Sequence, residues 1–262
     1  MACGVILMNV GCKRGRVVAL LCLLGAAAGA NAQQLVVGAG ARLTLGTSVM
    51  EAGCSDVQVS GTLEVAAGTL RGARHLAVPG SLRGGSGLVS LSGDLAAAGT
   101  LVPETGTVRI ADGCGSSESR VNGDHQFNRL SVQTSAPHRL VLPAGGTQAI
   151  ASALELIGGV ERLVLRSSAN GVVSLLSLAA GGSQTVHRVD ALDVGAPPAG
   201  QFLAPNLAAS YDSIDRGNTP RFFADQPNYP VPMLSPGGLM GLILLLCSLA
   251  WIQLRPAHPR GG

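Results

Sequence analysis

The segment ADGCGSSESRVNGDHQFN, residues 111–128, holds the densest group of side chains able to do chemistry. Asp112, Glu118, Asp124 and His125 lie around Cys114. Carboxylate, imidazole and thiolate groups can hold a metal ion when their spacing folds them onto one point. Neither H-x3-H nor C-x2-C spacing occurs here, and a polar loop tied by Cys114 to Cys54 accounts for the same residues. No metal ligand and no cofactor is expected. A second arrangement would be a carboxylate pair for glycoside cleavage, which needs two carboxyl groups about 5–10 Å apart. Asp190 and Asp193 with Glu155 or Glu161 are the acids that stacked coils could bring together. Acids are also ordinary residues of a solvent face, and no aromatic groove accompanies these.

Other signatures fail. GAGARL, from Gly38, lacks the third glycine of a dinucleotide loop, and Lys13 is the sole lysine, so the rest of the chain holds no Walker-type Gly-Lys pair. GSSES (115–119) lacks the glycine that follows the nucleophile in a strand-to-helix elbow. His75, His138 and His187 are widely separated along the chain. No catalytic residue is expected; the alternatives are a carbohydrate-binding module and, behind it, a β-helix polysaccharide lyase or hydrolase.

The elements that position these residues begin after a leader. Lys13, Arg14 and Arg16 precede the apolar run VVALLCLLGAAAGA, and small residues stand at Ala30 and Ala32. This is the pattern of a secretory signal over residues 1–32, cut between Ala32 and Gln33; an uncleaved anchor is the alternative. Net charge is +3, but five of the basic groups are Lys13, Arg14, Arg16, Arg255 and Arg260 at the two ends. The chain between them is slightly acidic, without a basic stripe, and no nucleic-acid partner is expected. Cys54 and Cys114 are the cysteines outside the two apolar ends. In an exported chain such a pair is a disulfide candidate; two unpaired buried thiols are the alternative.

At the other end, Gly237 to Leu254 carry no charge and would extend about 27 Å as a helix, close to the bilayer hydrocarbon thickness of about 30 Å. Trp251 suits the headgroup layer, and Arg255 and Arg260 suit the cytoplasmic side. Membrane lipid is therefore an expected partner. Before the apolar run stand Val231, Pro232, Met233, Leu234 and Ser235, then Pro236, Gly237 and Gly238. This order of Pro-containing motif, apolar helix and basic stub resembles the IPTL-CTERM family of bacterial protein-sorting tails. Pro232, Leu234, Ser235 and Gly238 match its motif and Val231 is conservative, whereas Met233 and Gly237 replace the family's Thr and Trp. The resemblance implies sorting to the cell surface and an exosortase-like membrane protease as partner.

Between the ends the chain is poor in rings. It holds four Phe, two Tyr and one Trp, and Phe127 alone precedes residue 200. An interior of Leu, Val and Ala without rings must be narrow. A Gly-polar-Leu unit recurs at Gly61, Gly68, Gly80, Gly93 and Gly99, with Gly106-Thr107-Val108 as a variant. Each glycine is expected to supply a bend, and the alternating residues after it a short two-sided strand. Such strands bury a face only by stacking on neighbours. The pattern predicts an all-β solenoid over residues 33–194. The alternative is a β-sandwich, whose short strands have similar spacing; Asn122-Gly123, Asn170-Gly171 and Asp112-Gly113 are the few hairpin-type turns it could use.

From Phe127 and Leu130, through Gln184, Val186, Val189 and Asp190, to Asp215, Gly217 and Asn218 before Phe222, the chain resembles a module common in bacterial surface β-helix proteins. That resemblance implies a right-handed parallel β-helix and no active site. Residues 195–223 gather Phe202, Tyr211, Phe222 and Phe223, which could cap the solenoid or form a sugar-binding platform. Residues 224–236 form a Pro-rich spacer carrying the sorting-like motif, 237–254 the membrane helix and 255–262 a basic cytoplasmic tail. The functional expectation is a non-enzymatic, exported envelope or surface protein, structural or adhesive, with a surface glycan or matrix as a further partner.

Overall fold

A computed structural model describes residues 34–223. The first coil consists of strands β1 (Gln34–Val37), β2 (Arg42–Thr44) and β3 (Val49–Glu51), and the second of β4 (Asp56–Val59), β5 (Thr62–Glu64) and β6 (Thr69–Ala73). The third coil has β7 (Leu76–Ala77), β8 (Ser81–Arg83) and β9 (Leu88–Leu91); the fourth has β10 (Leu95–Ala96), β11 (Thr100–Val102) and β12 (Thr107–Ala111). Thereafter the coils widen. They contain β13 (Glu118–Asn122) with β14 (Gln126–Gln133), β15 (His138–Leu142) with β16 (Thr147–Ile157), and β17 (Leu163–Ser167) with β18 (Ser174–Leu178) and β19 (Ser183–His187). The chain closes with β20 (Val189–Leu192), β21 (Val194–Gly195), a 3-10 helix (Ala208–Tyr211) and β22 (Ile214–Asp215).

Every pairing between these strands is parallel, and they form three sheets. One runs β1-β4-β7-β10-β13-β15-β17-β20-β22, a second β2-β5-β8-β11, and the third β3 through β6, β9, β12, β14, β16 and β18 to β21, with β19 also on β16. The fold is thus an all-β solenoid of about eight turns, and the sandwich alternative is set aside because its strands would pair antiparallel.

Short strands work here because each coil places the same residue type over its neighbour. Leu35, Val57, Leu76, Leu95 and Val121 are in register along the first sheet. Leu43, Leu63, Leu82 and Leu101 are aligned along the second. Met50, Leu70, Val89, Val108, Leu130 and Leu154 form the third column. Most of these side chains are fully buried, each worth about 1.5–3 kcal/mol of transfer free energy. A two-residue strand such as β7 could not persist alone; here a strand on either side pairs with it.

Gly61, Gly80, Gly93 and Gly99 sit at bends, as expected, and the stacking of coils places a second demand on three of them. Gly61, Gly80 and Gly99 stack at the same corner of successive coils, 19 residues apart like the coils themselves. A Cβ on Gly80 would collide with the Gly61 carbonyl oxygen, and one on Gly99 with that of Gly80. None of the three has a positive φ. Close backbone approach between coils, rather than left-handed geometry, requires them. Gly68, Gly87 and Gly106 form a second such column.

Outside the barrel, charges alternate down the second sheet. Arg42 pairs with Glu64, and Arg83 with Glu104 at 3.0 Å. The Arg42 guanidinium, through its hydrogen bond, holds the Glu64 carboxyl below its ordinary range, with Arg83 adding to the effect.

Candidate functional site

The loop that joins the fourth and fifth coils carries the polar segment, and it doubles back over neighbouring coils. Gly113 lies against Ser92, Cys114 Sγ is 4.0 Å from the Gly72 carbonyl oxygen, and Cys114 is bonded to Cys54. The Cα atoms of the two cysteines are 5.2 Å apart. Cys54 follows β3, so the bridge staples the corner after the first coil to the corner after the fourth. The pairing expected from cysteine usage is present.

The acids of the segment brace neighbouring turns rather than converge. Asp112 accepts from the Ser135 amide (2.8 Å), the Ser135 hydroxyl (2.6 Å) and the Ala136 amide (3.0 Å). Burial pushes its carboxyl up, but these donors together outweigh it and hold it below its usual value. Asp124 accepts from the Thr147 amide at 2.9 Å. Glu118 pairs with Arg120 at 2.6 Å and faces Arg139 at 3.8 Å. His125 is buried, with its Nε2 2.8 Å from the Asn122 carbonyl oxygen and its ring edge-on to Phe127. Burial lowers its pKa. No cluster of three or more potential metal ligands occurs among the described residues.

One juxtaposition escaped the sequence. Ser119, from GSSES, lies 2.9 Å from His138 Nε2, and its hydroxyl also faces the Ser92 carbonyl oxygen at 3.3 Å. Ser119 is fully buried and His138 almost so. His138 Nδ1 lies near the Ser116 backbone without a well-formed hydrogen bond, and burial lowers the ring's pKa. The pair fills the barrel where β13 runs past the end of β10. A serine with no solvent access cannot meet a substrate, so this is interior polar packing.

Of the other candidate acids, Glu161 lies exposed just before β17, while Asp190, Asp193 and Glu155 are committed to partners. Asp190 sits between Arg166 (2.8 Å) and Arg216 (2.9 Å). Burial raises its carboxyl, and hydrogen bonds from Arg216 and Arg166 more than reverse that, leaving it below the ordinary aspartate range. Asp193 accepts from Asn218 Nδ2 and from the Gly171 amide, which lowers its pKa. Glu155 accepts from Ser131 (2.8 Å) and Gln133 (2.9 Å). Glu155 belongs to the third sheet and Asp190 to the first, so register does not stack them as a pair.

At the C-terminal end Phe222 and Phe223 stack with centroids 4.2 Å apart, and Tyr211 leans on Phe223 at 6.2 Å. Both phenylalanines are buried with Leu203 and Ala204 in the core cluster. These rings thus pack inward onto the core. A sugar platform would need those faces exposed, so that reading of Phe222 and Phe223 does not hold. Phe202 carries the Arg221 guanidinium 3.8 Å above its ring.

Two surface depressions lie on the third sheet, where β14 and β16 are the longest strands. One, of about 210 Å³, is lined by Arg109, Arg129, Ser131, Gln133 and Glu155 among others. A second, of about 440 Å³, lies between Pro103, Asn128 and Ala149. Ala32, Gln33, Val231, Pro232, Met233, Leu234, Ser235, Gly238, Trp251, Arg255 and Arg260 lie outside the described residues. Within those residues no helix is long and apolar enough to cross a membrane. No family model matches this chain, and comparison with curated proteins and with solved structures found no match.

Proposed function

We propose that this chain is a non-enzymatic protein of the cell envelope, exported by residues 1–32 and sorted or anchored by its C-terminal segment. The solenoid is its working part, a stiff structural or adhesive rod displayed outside the cytoplasm. The observation that carries this reading is the Cys54–Cys114 bridge. Structural disulfides persist in oxidising compartments and are rare where thiols are kept reduced. The leader-like N-terminus and the apolar, arginine-ended C-terminus agree with that compartment. The coils are taken as right-handed, the near-universal hand of parallel crossovers.

In this reading residues 237–254 sit in membrane lipid with Trp251, Arg255 and Arg260 at the inner boundary. The Val231–Ser235 motif and Gly238 would present the chain to an exosortase-like protease. A matrix or surface glycan is the partner outside. A version ending at Asn228 tests the tail: it should leave the membrane fraction and appear as soluble exported protein. If it still fractionates with membranes, the anchor assignment is wrong.

A further inference from the structure

Among the described residues every arginine but three pairs with a carboxylate. Arg221 is one exception and is spent on the cap, over Phe202 and donating to the Gly200 carbonyl. The other two, Arg109 and Arg129, line the same depression. In a body where acids slightly outnumber bases, two guanidinium groups at one spot, neither ion-paired although Glu155 lines the same hollow, are an anomaly. We propose that this depression binds a carboxylate of an acidic polysaccharide.

Register explains how the site forms. Arg109, Ser131 and Glu155 lie in one row across β12, β14 and β16, and Thr107, Arg129 and Ala153 in the row two residues back. Small Ala153 and Thr107 flank Arg129 and leave the hollow. Arg109 gives one amino group to Gln133 Oε1 at 3.0 Å, and Gln133 in turn donates to Glu155. The chain of hydrogen bonds fixes the Arg109 plane; its Nε is buried, so a ligand would meet the amino groups. Arg129 is exposed and makes no ion pair among the described residues. Glu155 is already occupied by Ser131 and Gln133, and with two cations to one acid the hollow stays net positive. A guanidinium fork matches a planar carboxylate in two parallel hydrogen bonds.

The hollow continues toward a polymer-sized surface. β12 pairs only with the Arg129–Gln133 half of β14, so Gln126 and Asn128 project beyond it into the second depression, floored by Ala149 and Ala151. From Gln126 to Gln133 the strand runs about 25 Å at about 3.3 Å per residue. That length suits several sugar units lying along the strand, with one uronate at the arginines and neutral parts over the alanines. The inference names a ligand for the matrix role proposed above and rests on that reading only for where the polymer is met.

Full-length protein in mild detergent is titrated with oligogalacturonate, its methyl ester, galacturonic acid monomer and dextran sulfate at about 0.15 M salt, where exposed charges are screened beyond about 8 Å. Oligogalacturonate should bind and the ester much less. Arg109→Gln and Arg129→Gln should each weaken binding at least about tenfold, the loss of a charge-assisted hydrogen bond. Arg42→Gln, on the second sheet, should change nothing. An intact bridge and unchanged circular dichroism certify the fold of each variant. Monomer binding as tight as the oligomer would contradict the polymer assignment. Equal binding of ester and acid, dextran sulfate binding indifferent to both arginine variants, or no oligogalacturonate binding would each overturn the site. A cytoplasmic protein that still binds would sink the envelope role and leave the site standing; an envelope protein that fails to bind does the reverse.

Discussion

Removing the Cys54–Cys114 bridge should cost this solenoid a large part of its stability, and the size follows from where the bridge sits. The cysteines are 60 residues apart in sequence. Opening a closed loop of that length restores denatured-chain entropy worth about 4 kcal/mol at 25 °C. With a urea slope of about 2 kcal/mol/M, that is a midpoint shift of about 2 M. The location adds a second, spatial expectation. Repeat folds are held mainly by nearest-neighbour contacts, so stability can be lost from one end. The staple joins the corner after the first coil to the corner after the fourth, so β1 to β12 should lose hydrogen-exchange protection first while β15 to β20 keep theirs. Urea unfolding and exchange, with and without reductant and on a Cys54→Ser/Cys114→Ser double variant, read both. An unmoved midpoint with unchanged protection in the first four coils would refute the reasoning.

Gly99→Ala should destabilise by roughly 1–3 kcal/mol or more through the clash with Gly80, while Gly38→Ala, with open space around it, stays within about 0.5 kcal/mol; thermal melts decide. Phe222→Ala, which empties a fully buried ring site in the cap, should cost about 3–5 kcal/mol and promote association through the uncovered end, seen as a mass increase in light scattering. His125 and His138 have lowered pKa values in the fold, so the unfolded chain takes up protons first. Stability should therefore be complete above about pH 6.5 and fall as pH drops below it, the slope being set by excess proton uptake in the unfolded state. His138→Leu should flatten that segment of a pH–urea profile. A further loss should come below about pH 3.8, where the lowered carboxyls of Asp56, Asp112 and Asp190 are protonated in the unfolded chain before the folded one.

How the chain reveals its fold can be argued from a few positions. The Leu63, Leu82 and Leu101 rungs were visible because each stands two residues after a stacking glycine. Having Phe127 as the one aromatic before residue 200 announced the narrow interior, and Cys54 with Cys114 announced the staple. The bends at Gly61, Gly80, Gly93 and Gly99 were legible in the spacing; the close approach of Gly99 to Gly80 appears only when coils are laid over one another. Uneven spacings of six to thirteen residues between the units concealed the 19-residue coil, which interleaves two glycine columns. The Ser119–His138 contact depends on β13 extending past β10, a consequence of coil widening that no local pattern encodes. Likewise Arg109 and Arg129 are unremarkable until register shows them on adjacent strands, lining one hollow where the single acid, Glu155, is held by Ser131 and Gln133.

The central claim is that this is an exported rod closed by a bridge that forms outside the cytoplasm. Intact-mass measurement of the protein from separated cell fractions, run without reductant and again after it, addresses this directly. The account predicts envelope-associated material that begins at Gln33 and gains the mass of the missing thiol hydrogens on reduction. Protein in the cytoplasmic fraction, still carrying residues 1–32 and with Cys54 and Cys114 as free thiols, would contradict it.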